Sequence, residues 1–236
     1  MKCSLARCRH TAGAIRPLDV AAIVCVVGVL AFFAVLGAGR FKEHAYRLRC
    51  QDNLRQISDG LQLYSKANGG LLPDCSSANP QFYGSIWPWD LSANLAGILQ
   101  TNGVTRDAFY CPANPELNDT THWNYGGGVE VRIISYGMLF NGIGGVPRNL
   151  WPTDWKGDGT TPPSQTELMF DATACVNGDF SRIQGSLTDR SNHVRGKRAL
   201  GGNILFLDQH VAWRDFSEMK MRFGTPGMAG TVSWYF

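Results

Sequence analysis

From Val20 to Ala38 the chain reads VAAIVCVVGVLAFFAVLGA, without one charged or strongly polar side chain. A helix over that run rises about 28 Å, close to the hydrocarbon thickness of a bilayer, so the run predicts a single membrane-spanning helix. The pattern then changes. Cys50, Leu54, Ile57, Leu61 and Tyr64 are spaced alternately by four and three, an apolar stripe along an amphipathic helix. Arg49, Asp52, Arg55, Gln56 and Gln62 fall between them as a solvated face. Asn68-Gly69-Gly70, with Pro73 just beyond, is a helix stop. Asp19 to Lys66 therefore reads as one helix of about 70 Å whose stripe needs a covering surface.

The rest of the chain supplies short strand-like runs between turn residues. DAFYC, VEVRIISYGMLF, TELMFDA and GNILFL are compact or loosely alternating, while Gly126–Gly128, Gly144–Gly145 and KGDGTTPP mark loops. Helical spacing recurs near Ser92–Gln100 and over Phe216–Met221. The expected class is α+β: a long N-terminal helix, membrane-spanning and then amphipathic, packed on a mainly antiparallel β-sheet head. The expected divisions are a basic leader (1–14), a transmembrane helix (15–38), its amphipathic continuation (39–67) and an exported head (68–236). In GGNILFLDQHVAW, a turn of Asp208 and Gln209 would set Phe206 opposite Val211 and Ile204 opposite Trp213. Asp208 and His210 then stand near the hairpin tip, and Gln209 must take a left-handed conformation at about 1–2 kcal/mol unless another turn forms.

Composition narrows the chemistry. The 236 residues carry a formal charge of +3, too little for a nucleic-acid surface, and 27 glycines point to many turns. Lys2, Arg7, Arg9 and Arg16 before the apolar run are matched by Arg40, Lys42, Arg47, Arg49 and Arg55 after it, so charge alone does not orient a span. The seven cysteines include no C-x-x-C and no zinc-finger spacing with histidine, so no metal site is expected. In an exported head, Cys75 with Cys111 is the preferred disulfide among three possible connectivities, because both flank loops while Cys50 sits on the helix stripe. There is no G-x-S-x-G, phosphate loop or dinucleotide fingerprint, and Ser191-Asn192-His193 reads as a polar loop. No catalytic residue and no cofactor are expected.

The order of basic leader, apolar helix, amphipathic helix and small β-rich head resembles type IV pilins and type II secretion pseudopilins. RLRCQDNLRQISDGLQLYSKANGGLLP (47–73), YCPAN (110–114) and GGNILFLDQHVAWRDFSEMKMRF (201–223) are similar to segments of pseudopilin-like families. In the C-terminal signature of those families a histidine precedes Asp-Gly; here Arg198 stands in its place, and Asp208-Gln209 precedes His210. The resemblance implies prepilin processing between Ala14 and Ile15, with Asp19 as the acidic residue that sets assembly register. It implies a non-catalytic structural subunit of a secretion or pilus-like filament, placed in the inner membrane with its N-terminus cytoplasmic and its head outside. The implied partners are other pilin-like subunits through the N-terminal helix, the lipid bilayer and a prepilin peptidase. The alternatives are an anchored exported binding protein that does not polymerise, and an anchored enzyme.

Overall fold

The computed structural model describes residues 16–73, 87–125, 131–139, 146–147, 150, 152, 157, 159–183, 190–227 and 230–236, without the side chains of 34–38. It divides into two compact units, Met1–Lys42 and Glu43–Phe236.

Helix α1 runs from Pro17 to Ala67. Pro17 stands at its start, where a missing N–H costs nothing, and the Asp19 carboxylate accepts from the Arg16 N–H at 3.1 Å. At the other end Gly69 and Gly70 take φ of 68° and 90°, and the Gly70 N–H returns to the Ser65 carbonyl at 2.9 Å.

The sequence expectation of a membrane-spanning helix is corrected here. Among the described residues no helix is long and apolar enough to cross a membrane. The inner-membrane, single-pass placement and the pilin-like architecture built on that span fall with it.

The body is not one sheet on a helix but several small antiparallel sheets. Strands β1 (Asp90–Ser92) and β2 (Val131–Ile133) form one pair, and β6 (Val194–Arg195) and β7 (Arg198–Ala199) another. A three-stranded sheet has the order β10 (Met221–Gly227), β11 (Gly230–Tyr235), β5 (Ala174–Cys175). The four-stranded sheet runs β3 (Tyr136–Met138), β4 (Glu167–Asp171), β8 (Gly201–Phe206), β9 (Val211–Asp215). Each piece is short because turn residues punctuate the apolar runs every few positions. The expected helix over Phe216–Met221 is a 3-10 turn, Phe216–Glu218, with β10 beginning at Met221.

One core joins these pieces. Cys50, Leu54, Ile57 and Leu61 of the α1 stripe are fully buried with Leu91, Leu95, Leu99, Phe109, Tyr136 and Phe170. Helix α2 (Ala93–Thr101) starts where the Ser92 hydroxyl accepts from the Leu95 N–H at 3.1 Å, and it turns Leu95 and Leu99 inward. The C-terminal hairpin β10–β11 contributes Phe223, Val232, Trp234 and Phe236. Trp234 is packed edge-on by Trp89 and Phe170, and its indole N–H donates to the Thr225 hydroxyl at 2.8 Å.

The β8–β9 hairpin differs by one residue from its expected register. Leu205 pairs with Val211, Ile204 with Ala212 and Asn203 with Trp213. The loop is Leu207-Asp208-Gln209: the Phe206 N–H reaches the His210 carbonyl at 3.0 Å and the Gln209 N–H reaches the Phe206 carbonyl at 2.9 Å. Gln209 has φ of 75°. A loop of this length needs one left-handed residue where a two-residue type I′ turn needs two, so a chain lacking glycine there forms the longer turn. Replacing Gln209 by Gly should raise the free energy of unfolding by about 1 kcal/mol, and Leu54→Ala should lower it by about 2–5 kcal/mol. Urea denaturation midpoints of the two variants measure both.

Candidate metal centre

Four elements bring titratable side chains to one point in the body. Glu43, Arg47 and Cys50 lie on successive turns of α1 and extend the buried stripe N-terminally with the same spacing of four and three. Cys111 follows the 3-10 turn Arg106–Phe109, and the Ala113 N–H donates to its sulfur at 3.4 Å. Asp171 ends β4. His193 lies in the segment just before β6.

That segment is fastened to the end of β4 and to β5. The Asn192 N–H donates to the Ala172 carbonyl at 3.0 Å, and the Ser191 hydroxyl accepts from the Ala174 N–H at 2.8 Å and donates to the Ala174 carbonyl at 2.7 Å. Asp171 is fixed from both sides. Its Oδ2 accepts from the Asn203 backbone N–H at 2.7 Å and from Asn203 Nδ2 at 2.8 Å, and its Oδ1 accepts from Asn192 Nδ2 at 3.0 Å. Gly202 permits this approach: a Cβ there would lie 2.9 Å from Asp171 Cβ.

His193 sits among the others. Its Nδ1 is 2.9 Å from Glu43 Oε1, and its Nε2 is 3.3 Å from Asp171 Oδ2 and 3.6 Å from Cys111 Sγ. The sulfurs of Cys50 and Cys111 are 2.8 Å apart. Trp213 meets the imidazole edge-on with ring centres 5.1 Å apart, and the Arg47 guanidinium lies 3.7 Å over Trp213 while its Nε pairs with Glu43 at 3.1 Å. Cys50 and Cys111 are both 0% exposed, and Asp171 and His193 are each at 1%.

Burial opposes the charged forms, and the neighbours decide which survive. Desolvation pulls His193 down, yet the Asp171 carboxylate, with Cys50 and Glu43, holds its pKa well above the ordinary value. Burial pushes Asp171 up, but the His193 charge and the Asn203 and Asn192 hydrogen bonds leave it lowered. Glu43 is lowered too, by His193 and Arg47 against its own desolvation. Burial raises Cys111, and it raises Cys50 well above the thiol range with help from Cys111 and Asp171. Without a metal, the cluster is therefore an imidazolium between two carboxylates beside two neutral thiols.

This set departs from a nucleophilic cysteine site, where the sulfur is a thiolate, because burial raises both thiols. It is well composed for holding a metal: two sulfurs, one imidazole nitrogen and one carboxylate oxygen have their ligating atoms within 4.8 Å of one another. A groove of about 340 Å³ beside it is lined by Asn53, Gln56, Thr105, Ala108, Cys111 and Pro112.

Of the residues nominated from sequence, Cys111 belongs to the cluster, and Asp19, Arg198, Asp208, Gln209 and His210 are not part of it. Ala14, Ile15 and Cys75 lie outside the described residues. Cys111, expected beside Cys75, has its sulfur against that of Cys50. Asp19 is on the exposed first turn of α1, and Arg198 is exposed on β7. Asp208 and His210 are exposed at the hairpin tip, where the His210 Nδ1 meets Asp208 Oδ1 and its ring stacks on Phe206 with centroids 4.2 Å apart. Sequence reasoning missed Cys50, Asp171 and His193. The available signal was the extension of the apolar stripe through Arg47 to Glu43, which places a carboxylate and a thiol on a face that must be buried.

No family model matches the chain, and no curated protein or solved structure matches it. The site is read from its own geometry.

Removing one partner of a buried ion pair typically costs about 3–5 kcal/mol. Asp171→Ala also strands the Asn203 N–H, so it should destabilise the chain by at least that amount. Asp208→Ala, at the exposed acid–imidazole pair, should cost under about 1 kcal/mol. Chemical unfolding of both variants compares the two acid–imidazole pairs directly.

Proposed function

We propose that the chain is a non-catalytic structural subunit that associates with copies of itself through the first part of α1. The observation that carries this reading is the surface of that segment. Leu18 is 79% exposed, and Ile23, Val24, Val26, Val27, Val29, Leu30, Phe32 and Phe33 are each more than half exposed. At 100° per residue these side chains point in every direction round the axis, and a helix apolar on all sides requires cover.

The favoured cover is the same segment of other copies. Most soluble assemblies are homo-oligomers, and packing like helices together hides every side of such a segment at once. Arg16 and Asp19 at one end and Arg40 and Lys42 at the other bound the apolar stretch and set limits to its sliding. This reading keeps the expected structural-subunit role and leaves out the membrane-spanning anchor. The burial of all four cluster side chains supports its non-catalytic part.

Cys25 is an exposed thiol within this segment and serves as a natural probe. Full-length protein treated with a short bismaleimide should give covalent dimers, and Cys25→Ser should lose them. Sedimentation should give a mass well above the 25.9 kDa of one chain, and a Val24→Asp, Val27→Asp double variant should associate at least tenfold more weakly. A monomer at micromolar concentration with α1 intact would refute the assignment.

A further inference from the structure

The geometry points to a closed, four-coordinate zinc(II)-type site formed by Cys50 Sγ, Cys111 Sγ, His193 Nε2 and Asp171 Oδ2, and we propose that the chain binds one such ion there. The inference does not depend on how the N-terminal helix associates.

Three observations carry it. The first is spacing. Zinc–ligand bonds of about 2.3 Å to sulfur and about 2.0–2.1 Å to nitrogen or oxygen give tetrahedral edges of roughly 3.5 Å for S–N and roughly 3.3 Å for N–O. The chain has 3.6 Å from Cys111 Sγ to His193 Nε2 and 3.3 Å from His193 Nε2 to Asp171 Oδ2. The S–S edge, now 2.8 Å, must open to roughly 3.8 Å, a displacement within reach of a cysteine χ1 rotation.

The second is the orientation of the histidine. Its Nδ1 faces the Glu43 carboxylate at 2.9 Å, which holds a proton on Nδ1 and leaves Nε2 to turn its lone pair on the metal. A carboxylate behind a ligating histidine is the usual outer support of a metal site, and here Arg47 in turn fixes Glu43. Asn203 and Asn192 support Asp171 in the same way.

The third is the donor set and its burial. Two thiolates, an imidazole and one carboxylate in tetrahedral array suit zinc(II); calcium and magnesium take oxygen ligands in larger number. All four ligands are buried, so no position is left open to substrate, which marks the site as structural. Binding displaces the thiol protons of Cys50 and Cys111 and the Nε2 proton of His193 to solvent, and the Asp171 carboxylate is already ionised. The site then ties α1, the segment after Arg106–Phe109, β4 and the segment before β6 into one unit.

The test uses full-length protein purified under reducing conditions. Zinc released on denaturation should reach one ion per chain, and cobalt(II) added to the metal-free protein should give intense visible bands of tetrahedral coordination with thiolate charge transfer in the near ultraviolet. Cys50→Ser and His193→Gln should weaken binding at least 100-fold, while Glu43→Gln should weaken it about 10- to 100-fold by loosening the histidine. Cys175→Ser and His210→Gln, which lie outside the cluster, should leave stoichiometry and affinity unchanged. The wild-type chain alone can overturn the proposal, whatever the variants' folding. Less than a tenth of an ion per folded chain with no tetrahedral cobalt spectrum would do so, as would a Cys50–Cys111 disulfide found by peptide mapping of unreduced protein.

Discussion

A histidine with no exposed side-chain atom lies between two carboxylates, one on the helix and one at the end of a central strand. That contact orders the body. Asp171 Oδ2 accepts from two Asn203 donors while it faces His193, so the strand pair β4–β8, the segment 191–193 and α1 are positioned by one carboxyl group. In a low-dielectric interior each partner is costly alone, so none can be moved without leaving a charge or a donor unmatched. The apolar stripe of α1 supplies binding energy along the helix, but a stripe of leucine and isoleucine tolerates sliding. The Glu43–His193–Asp171 chain does not, and it fixes where along the helix the body sits.

The surrounding core follows from this placement. Cys50 marks the passage from the polar end of the stripe to the apolar one, with Leu54, Ile57 and Leu61 beneath it. The aromatic cluster around Trp234 closes the far side, with Phe170 belonging to the same strand as Asp171. Strand β4 thus presents a polar terminus to the cluster and an apolar middle to the core. Its neighbours can be short because their cohesion comes from shared side chains more than from long ladders.

Much of this was legible in the sequence, and the rest was hidden for identifiable reasons. The four-and-three spacing from Cys50 to Leu61 reports a buried face because helical periodicity is a local property. The run TELMFDA contains β4, GNILFL covers β8 from its second residue, and Gln209 does adopt positive φ. Its register was missed because the turn's length depends on which residues accept that conformation, and local pattern does not rank the options. Ser191-Asn192-His193 looked like a solvated loop because polar residues usually are; its burial is created by partners on β4 and α1, more than twenty positions away or on another element altogether. Asp171 and Cys50 were likewise unremarkable until the fold brought their neighbours in. The apolar run from Val20 was read as a span on its length and composition together, whereas among the described residues no helix is long and apolar enough to cross a membrane.

The bond between Glu43 and His193 joins positions 150 apart in sequence. A chain synthesised from its N-terminus therefore exposes the Glu43–Cys50 face of α1 long before the group that completes it exists. Closing so long a loop is entropically slow, and local helix formation precedes it. During that interval Cys50 and Cys111 are accessible thiols in an unfinished chain, open to oxidants and mispairing. The arrival of His193 shuts them away. Biogenesis, more than the finished fold, is thus the stage at which this protein is chemically vulnerable.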